Sequence, residues 1–459
     1  MERDKIHQIV ERQRTYFKSG ATLDTGFRKA ALRKLRKAVK KNEARLAAAL
    51  KADLGKSFTE SFMCEIGMTY SEISYMLKRV RLYAAGRPAL TPLAQFHATS
   101  YVRPMPHGVT LIMSPWNYPM LLTLAPLVDA IAAGNTAILK PSAYSPYTSQ
   151  VIKELIEETF DPKFVAVVTG GREENAFLLD EKFDHVFFTG SKEVGREVMA
   201  KASKHLCPVT LELGGKSPCI VGKTANIELA ARRIVFGKLL NCGQTCVAPD
   251  YILCHSEVKE ALIDALIEEI QNQYGKQYLE NEHYGKIVSK KHFDRINGLI
   301  ENRKVVYGGD SNEATLQIEP TIMDRVTWDD AVMQEEIFGP VLPILTYKNR
   351  EEVIRQINDH PKPLALYVFT DEKEFAKDIT SRCAFGGGCI NDTIIHLATS
   401  HMGFGGVGES GMGAYHGKAG FDEFSSRKSI VDKKTWLDLP MRYQPYNPVN
   451  EKLLKFFLR

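Results

Sequence analysis

A chain of 459 residues exceeds one ordinary core, so its length implies two or three domains that fold without metal or disulfide staples and leave room for a cleft. With 44% hydrophobic and 25% charged residues the composition is globular, which excludes a disordered or collagen-like chain, and a net charge of +5 over this length excludes a general nucleic-acid binder. Eight cysteines without a CxxC pair or metal-ligand spacing read as reduced thiols, hence as a cytoplasmic protein with no metal site.

The opening MERDKIHQIVERQRTYF lacks the apolar core of a secretory signal. From Asp24 to about Leu54 the pattern is helical: Phe27, Ala31, Leu32, Leu35 and Val39 recur at helical spacing and leave Lys29, Arg33, Arg36, Lys37 and Lys40 on the other faces. The basic stretch from Arg28 to Arg45 therefore reads as a solvated helix face rather than a nucleic-acid or lipid patch. A second helical pattern runs from about Phe62 through Tyr83. The segment from Arg87 to Arg103, with prolines at 88 and 92, predicts an extended excursion, a projecting hairpin of the kind that serves subunit contact.

Strand-like and helix-like stretches then alternate: Val109 to Met113, a helix from Pro119, Thr136 to Leu139, a helix from Ser145, Phe164 to Val168, His185 to Phe188 and another helix. The most apolar run, Met120 to Ala133, is short and interrupted by Asp129, so no transmembrane segment is expected. Repeated βαβ units predict a parallel sheet covered on both faces, with a nucleotide site at the carboxyl ends of its strands. After Leu211 the alternation resumes with Cys219 to Val221, a helix from about Asn226, Tyr251 to Cys254, a helix from Ser256, Lys304 to Tyr307, Val341 to Tyr347 and Leu364 to Phe369, a second α/β unit. Glycines at 386–388 and from Gly403 to Gly413 read as tight loops where backbone approaches backbone.

Three segments carry chemistry. Asn241-Cys-Gly-Gln-Thr-Cys246-Val-Ala-Pro-Asp lies between a predicted helix and a predicted strand, where a cysteine can be exposed; catalysis would need its pKa lowered or a base beside it, and an inert buried thiol is the plainer reading of any single cysteine. Val209-Thr-Leu-Glu212-Leu-Gly-Gly puts a carboxylate at a strand end beside two glycines, suited to a general base across a cleft or, more plainly, to a surface or cap position. Ser114-Pro-Trp-Asn117-Tyr-Pro leaves a strand and enters a helix, placing an amide where an oxyanion could be received, or a turn residue.

Together with LKPS, FTGS, EEIFGPV and GFGGVGESGMGAYHGK in the same order, these segments make the chain resemble the aldehyde dehydrogenase superfamily over almost its whole length. The phrases GQTCVAPDY and GMGAYHGK, and the lack of a longer amino-terminal extension, resemble its class 3 branch. The resemblance implies that Cys246 attacks an aldehyde, that the Asn117 amide and the Cys246 N–H hold the oxyanion, and that hydride passes to a nicotinamide. Glu212 then activates the water that hydrolyses the thioester to a carboxylic acid. It also implies NAD or NADP as cofactor, with Ser191 at the pyrophosphate, Lys140 at the adenine ribose, Glu336 at the nicotinamide ribose and Phe338 near the ring. Ser142, Gly190, Gly195, Leu213 and Trp116 complete that set. Phe188-Thr-Gly190-Ser191-Lys-Glu-Val-Gly195 is not GxGxxG, yet it follows a predicted strand and opens a helix whose N–H groups can meet a pyrophosphate.

Ala143 stands where many NAD-preferring relatives carry an acid against the ribose 2′-hydroxyl, so NADP use is open and both cofactors are expected to work. The class 3 likeness favours medium or long aliphatic and aromatic aldehydes, with Tyr70, Trp116 and the loop near His396 as tunnel or core residues. It also favours a homodimer through residues 87–103 and the strand-like Ser425 to Val431. Cys242, four residues before Cys246, is either a packing residue or half of a reversible disulfide protecting the nucleophile. Glu212 argues against a CoA-acylating dehydrogenase, and the full set of site residues argues against an inactive scaffold. A thiol hydrolase is disfavoured because no histidine is tied to Cys246.

The fold class expected is therefore α/β: two Rossmann-like parallel-sheet domains, cofactor-binding and catalytic, with a small β bridging arm for oligomerisation. Residues 1–86 and 104–211 form the dinucleotide-binding domain, 212–413 the catalytic domain, 87–103 and 424–440 the arm, and 441–459 a C-terminal tail. The tail's Leu453, Leu454, Phe456, Phe457 and Leu458, interleaved with Lys452, Lys455 and Arg459, suit docking on this protein or a sister subunit, or else a membrane surface.

Overall fold

The computed structural model describes residues 1–439 and 442–457. The sequence pattern does not flag the first helix, Arg3–Lys18, because only Ile6, Val10 and Gln13 turn inward, and Gln13 is anchored by donating to the carbonyls of Ala137 and Pro162. The helix expected over 24–54 is two helices, Thr25–Lys41 and Glu43–Leu54. Asp24 caps the first by accepting from the Phe27 N–H at 2.8 Å, and the chain breaks at Asn42, whose amide turns back onto the Ala38 carbonyl. Arg28 departs from the solvated face: it is buried and donates to the carbonyls of Thr22, Leu23 and Ala132. A single π-turn, Phe62–Ile66, opens the next helix, Gly67–Ala84.

The first large sheet has six strands in the order Gly411–Met412, Val209–Glu212, His185–Thr189, Val109–Met113, Thr136–Lys140 and Val165–Val167, parallel except at the Gly411–Met412 edge. Every residue of Val109–Met113 and of the helix Leu121–Ala133 is buried, the signature of a sheet covered on both faces. The carboxyl ends of four neighbouring strands, at Glu212, Thr189, Met113 and Lys140, lie along one edge and launch the loops that carry the sequence motifs.

The second sheet has seven strands in the order Val305–Tyr307, Thr321–Met323, Val341–Tyr347, Tyr251–His255, Pro218–Val221, Ala365–Phe369 and Gly387–Ile390, parallel except at Val305–Tyr307. Gly387 and Gly388, expected in a tight loop, belong to this edge strand; a Cβ on Gly388 would lie 2.0 Å from the Leu366 carbonyl oxygen, so the pairing admits only glycine. The close approach expected of the later glycines holds: a Cβ on Gly405 would lie 2.1 Å from the Gly413 carbonyl oxygen.

Arg87–Ala89, Ala98–Pro106 and Ser425–Lys433 form a separate antiparallel sheet, the second and third strands in unbroken register from Pro106 against Ser425 to Ala98 against Lys433. Leu90, Leu93, Phe96 and Trp436 are exposed around it. The chain closes on the helix Pro448–Phe457. Pro440 and Met441, at the junction of the expected arm and tail, and Leu458 and Arg459 lie outside the described residues. Among the described residues no helix is long and apolar enough to cross a membrane.

Candidate active site

A cavity of about 590 Å³ lies between the two large sheets. Asn117, Glu212 and Cys246 line it together with Trp116, Gly190, Ser191, Leu213, Glu336 and Phe338, residues separated by more than two hundred positions in the chain. Its size is that of an ordinary small-molecule site.

The thiol comes from a strained turn. The helix Ile227–Leu239, capped by Asn226 accepting from the Leu229 N–H, runs into a 3₁₀ turn in which Asn241 (φ 52°) and Cys242 (φ 53°) both adopt left-handed backbone. Asparagine tolerates that region but cysteine does not favour it, so the surroundings must hold the turn. Gln244 does much of this: its amide donates to the carbonyls of Asn241 and Lys286, both at 3.0 Å, and accepts from the Val288 N–H. The Tyr118 hydroxyl bonds Thr245 at 2.6 Å and Tyr367 donates to the Val247 carbonyl at 2.6 Å, flanking Cys246 on both sides. The Cys246 thiol is half-buried on the cavity wall, and burial followed by the nearby Glu336 and Glu212 carboxylates pushes its pKa up. Cys242 is fully buried with its Sγ against Gly285, so the two free thiols face different surroundings, core and cavity.

Asn117 sits in the loop after Val109–Met113; its Nδ2 donates to the Gln244 carbonyl at 3.0 Å, tying the amide to the cysteine turn. Glu212 ends its strand with both carboxylate oxygens buried and without a hydrogen-bond partner among the described residues. Burial, then the neighbouring Glu423, raises its pKa well above the carboxylate range. Once ionised, a carboxylate with no protein partner beside a cavity that also holds a thiol can take a proton from a water placed there.

Glu336 packs onto Gly214 so closely that a Cβ there would lie 1.8 Å from its Oε2. Its segment is fixed from below: the Ile337 N–H donates to Asp250 at 2.9 Å, Lys216 pairs with Asp250 and donates to the carbonyls of Val332 and Glu335, and Arg295 donates to the carbonyls of Glu336 and Ile337. Burial and the Asp250 charge push the Glu336 carboxyl up to about 8. Phe338, with φ 51°, meets the Trp116 ring edge-on at 5.3 Å. Ser191 caps the helix Lys192–Ser203, accepting from the Val194 N–H, and a Cβ on Gly195 would lie 2.7 Å from Leu213, so this glycine lets the helix sit on the strand end.

Lys140, Ser142 and Gly195 are not on the cavity wall. Lys140 is buried at its strand end, donating to the carbonyls of Gly170 at 2.8 Å and Pro141 at 3.1 Å, with burial lowering its ammonium to about 8. The Ser142 hydroxyl accepts from the Tyr144 N–H, and Ala143 is exposed next to it. Of the expected tunnel residues only Trp116 lines the cavity: Tyr70 is bonded to Glu43, and His396 lies beside Cys389, while Phe404 and Tyr415, unremarked in the sequence, do line it. Sequence reasoning also missed Lys216, Asp250 and Arg295, ordinary charged residues whose partners lie far along the chain.

The site suits a nicotinamide dinucleotide. The cavity runs from the first turn of a capped 12-residue helix, at Ser191, Lys192 and Glu193, to Cys246. The free N–H groups of such a turn attract a pyrophosphate, and at Gly214 only a missing side chain keeps the passage open against Glu336.

The sequence profile of the Aldehyde dehydrogenase family matches residues 1–430. The chain is 47% identical to the 4,4′-diaponeurosporen-aldehyde dehydrogenase of Staphylococcus aureus, covering 98% of this chain and 99% of that one. It is 44% identical to rat Aldehyde dehydrogenase family 3 member A2, over 99% of this chain and 94% of that one. It is 43% identical to the dog "Aldehyde dehydrogenase, dimeric NADP-preferring", over 96% and 98%. The structure titled "Substrate bound state of Staphylococcus Aureus AldH" superposes with a TM-score of 0.97 at 46% identity over 99% of both chains. An indole-3-acetaldehyde dehydrogenase complexed with NAD+ superposes with a TM-score of 0.86 at 27% identity over 94% of this chain and 90% of that one.

Proposed function

The chain belongs to the aldehyde dehydrogenase family, and from that premise we propose how its cavity divides the work. The enzyme oxidises an aldehyde to its carboxylic acid with a nicotinamide dinucleotide. Cys246 Sγ loses its proton to solvent water and adds to the carbonyl carbon, and the electron pair displaced onto oxygen is received by the Asn117 Nδ2–H and the Cys246 N–H. A bound nicotinamide would supply the hydride acceptor as that adduct collapses to a Cys246 thioester. Water then attacks the acyl carbon, its proton passes to a Glu212 oxygen, and the Cys246 thiolate leaves as the acid forms. The observation that carries this reading is the pair of unpartnered Glu212 oxygens in the cavity that holds Cys246 and Asn117.

For the dinucleotide, Ser191 and Gly190 would face the pyrophosphate, Glu336 the nicotinamide ribose, Phe338 and Trp116 the ring, and Lys140 with Ser142 the adenine ribose; Gly195 and Leu213 shape the helix approach. The six-stranded sheet would then serve the cofactor and the seven-stranded sheet the thiol, as the domain limits drawn from sequence suggest, except that Gly411–Met412, drawn within the catalytic domain, pairs with Leu211 and Glu212 at the edge of the six-stranded sheet. Ala143 supports use of both NAD and NADP, as does a relative named NADP-preferring. The apolar walls at Leu122, Trp116 and Phe404 favour medium or long aliphatic and aromatic aldehydes, and one relative is named as a 4,4′-diaponeurosporen-aldehyde dehydrogenase. The exposed apolar residues around the small sheet, and a relative named dimeric, support a homodimer through the arm. Eight free cysteines suit a reducing, cytoplasmic setting.

The test is to acid-quench the enzyme during turnover of an aromatic aldehyde and map the adduct by mass spectrometry. The acyl mass belongs on the peptide containing Cys246, and Cys246→Ser should show neither adduct nor turnover. Wild-type turnover by that variant would overthrow the reading.

A further inference from the structure

Lys56 and Glu65, both fully buried, form an ion pair at 2.6 Å directly beneath the Asn117 loop. The same ammonium donates to the Asn117 carbonyl at 2.9 Å and lies 3.9 Å from the centre of the Tyr118 ring. The second Glu65 oxygen accepts the N–H groups of Met120 and Leu121, where the helix after that loop begins. Glu65 occupies the π-turn Phe62–Ile66, an irregularity that recurs at functional sites. Five residues earlier Glu60 accepts the N–H of Asn241 at 2.8 Å, the first left-handed residue of the cysteine turn.

These contacts close into one network. The Asn241 side chain donates to the Asn117 carbonyl at 2.8 Å and to the Gln244 carbonyl at 3.1 Å, and the Asn117 amide donates to that same Gln244 carbonyl. A buried ion pair is seldom worth more to stability than apolar residues of the same volume, so stability alone is a poor reason for this one. Nor does Lys56, Glu60 or Glu65 line the cavity. Each reaches the reaction only through Asn117 or the turn that presents Cys246.

We propose that Lys56, Glu65 and Glu60 are positioning residues that aim the Asn117 amide at the oxygen of the aldehyde adduct. The inference rests on the reading of Asn117 as oxyanion donor. An oxyanion donor acts only if it is held in place before charge develops, and a misplacement of about 1 Å can cost on the order of a hundredfold in rate. Lys56 gripping the Asn117 carbonyl, Glu65 holding both Lys56 and the start of the helix that follows, and Glu60 gripping the facing turn supply that rigidity.

The test compares Lys56→Met/Glu65→Gln, which removes both charges at little change in volume and strands neither, with Asn117→Ala and with the triple variant. The paired variant should lose about 30- to 100-fold in kcat. Its dissociation constant for NADH, read by fluorescence, should stay within about twofold, because the Ser191 end of the cavity is untouched. In the Asn117→Ala background the same pair should cost less than about threefold further, since residues acting through one group are not additive. Multiplying losses, or a wild-type kcat in the paired variant, would overturn the proposal. Should the paired variant not fold, Lys56→Arg, which keeps the charge but moves its donors, carries the same comparison with the same two refuting outcomes. A wild-type rate for Asn117→Ala alone would sink the oxyanion reading itself, and this proposal with it.

Discussion

Glu336 offers a measurement that needs neither substrate nor cofactor. Its carboxyl rises from 4.5 to about 8 on folding, because burial and the Asp250 charge disfavour its ionised form. A folded-state pKa above the unfolded one means that between these values the native protein holds a proton the unfolded chain has released. Stability is therefore lost as pH rises through that window, at about 1.4 kcal/mol per pH unit for this one group. The full span amounts to about 5 kcal/mol, and since Glu336 borders an open cavity, solvent screening should leave about 2 to 3 kcal/mol of it. Glu336→Gln is nearly isosteric and has nothing to ionise, so it escapes the loss. Urea unfolding of both proteins at pH 5 and pH 8.5, without cofactor, should show the Gln variant gaining on wild type by that amount between the two conditions. The same variant should bind NAD and NADP more weakly if the carboxylate holds a ribose. A stability difference independent of pH would refute the account of how this carboxyl is buried.

Glu212→Gln should cut steady-state turnover by about 10²- to 10⁴-fold, the usual range for loss of a general base, while stopped-flow still shows a burst of one NADH per active site as the thioester accumulates. Loss of the burst would mean that Glu212 also serves the acylation half. Ala143→Glu should shift the NAD to NADP ratio of kcat/KM toward NAD by at least about tenfold, through repulsion of the 2′-phosphate; an unchanged ratio would place the 2′-position elsewhere. Because burial and two carboxylates raise the Cys246 pKa, its alkylation by iodoacetamide in the cofactor-free enzyme should keep accelerating from pH 7 to 10. A plateau near neutrality, read as the pH dependence of inactivation, would contradict that environment.

What the sequence disclosed and what it hid follow from the range of the forces involved. Cys246, Glu212 and Asn117 stand in short segments whose glycines, prolines and strand-to-helix transitions carry local signals, and the fold brings all three to one cavity. The alternation of apolar strands and amphipathic helices was equally local, so both parallel sheets were visible. The Gly387–Ile390 strand was not, because glycine normally weakens a strand and its reason for being there is a carbonyl on Leu366. The Lys56–Glu65 pair was invisible for a related reason: a lysine and a glutamate near a helix start look like solvated surface, and their work is done on Asn117, Met120 and Leu121, some sixty positions away. The motif LKPS singled out Lys140, but nothing in it foretold that its ammonium would be buried against the Gly170 carbonyl.

The site's charge balance explains why its acids can stay neutral until needed. Cys246, Glu212 and Glu336 all face one cavity, and burial with a neighbouring carboxylate raises the cost of ionising each: Glu336 and Glu212 act on Cys246, Glu423 acts on Glu212 and Asp250 on Glu336. Two of the nearby cations are paired, Lys216 with Asp250 and Lys56 with Glu65. A thiolate formed early would be an exposed target for oxidants, and an ionised Glu212 would be stranded without a donor. Raising all three pKa values together favours the neutral forms of these three groups. A positive charge or hydrogen-bond donor placed in the groove between Ser191 and Glu336 would draw these pKa values back down, because it stabilises the ionised forms.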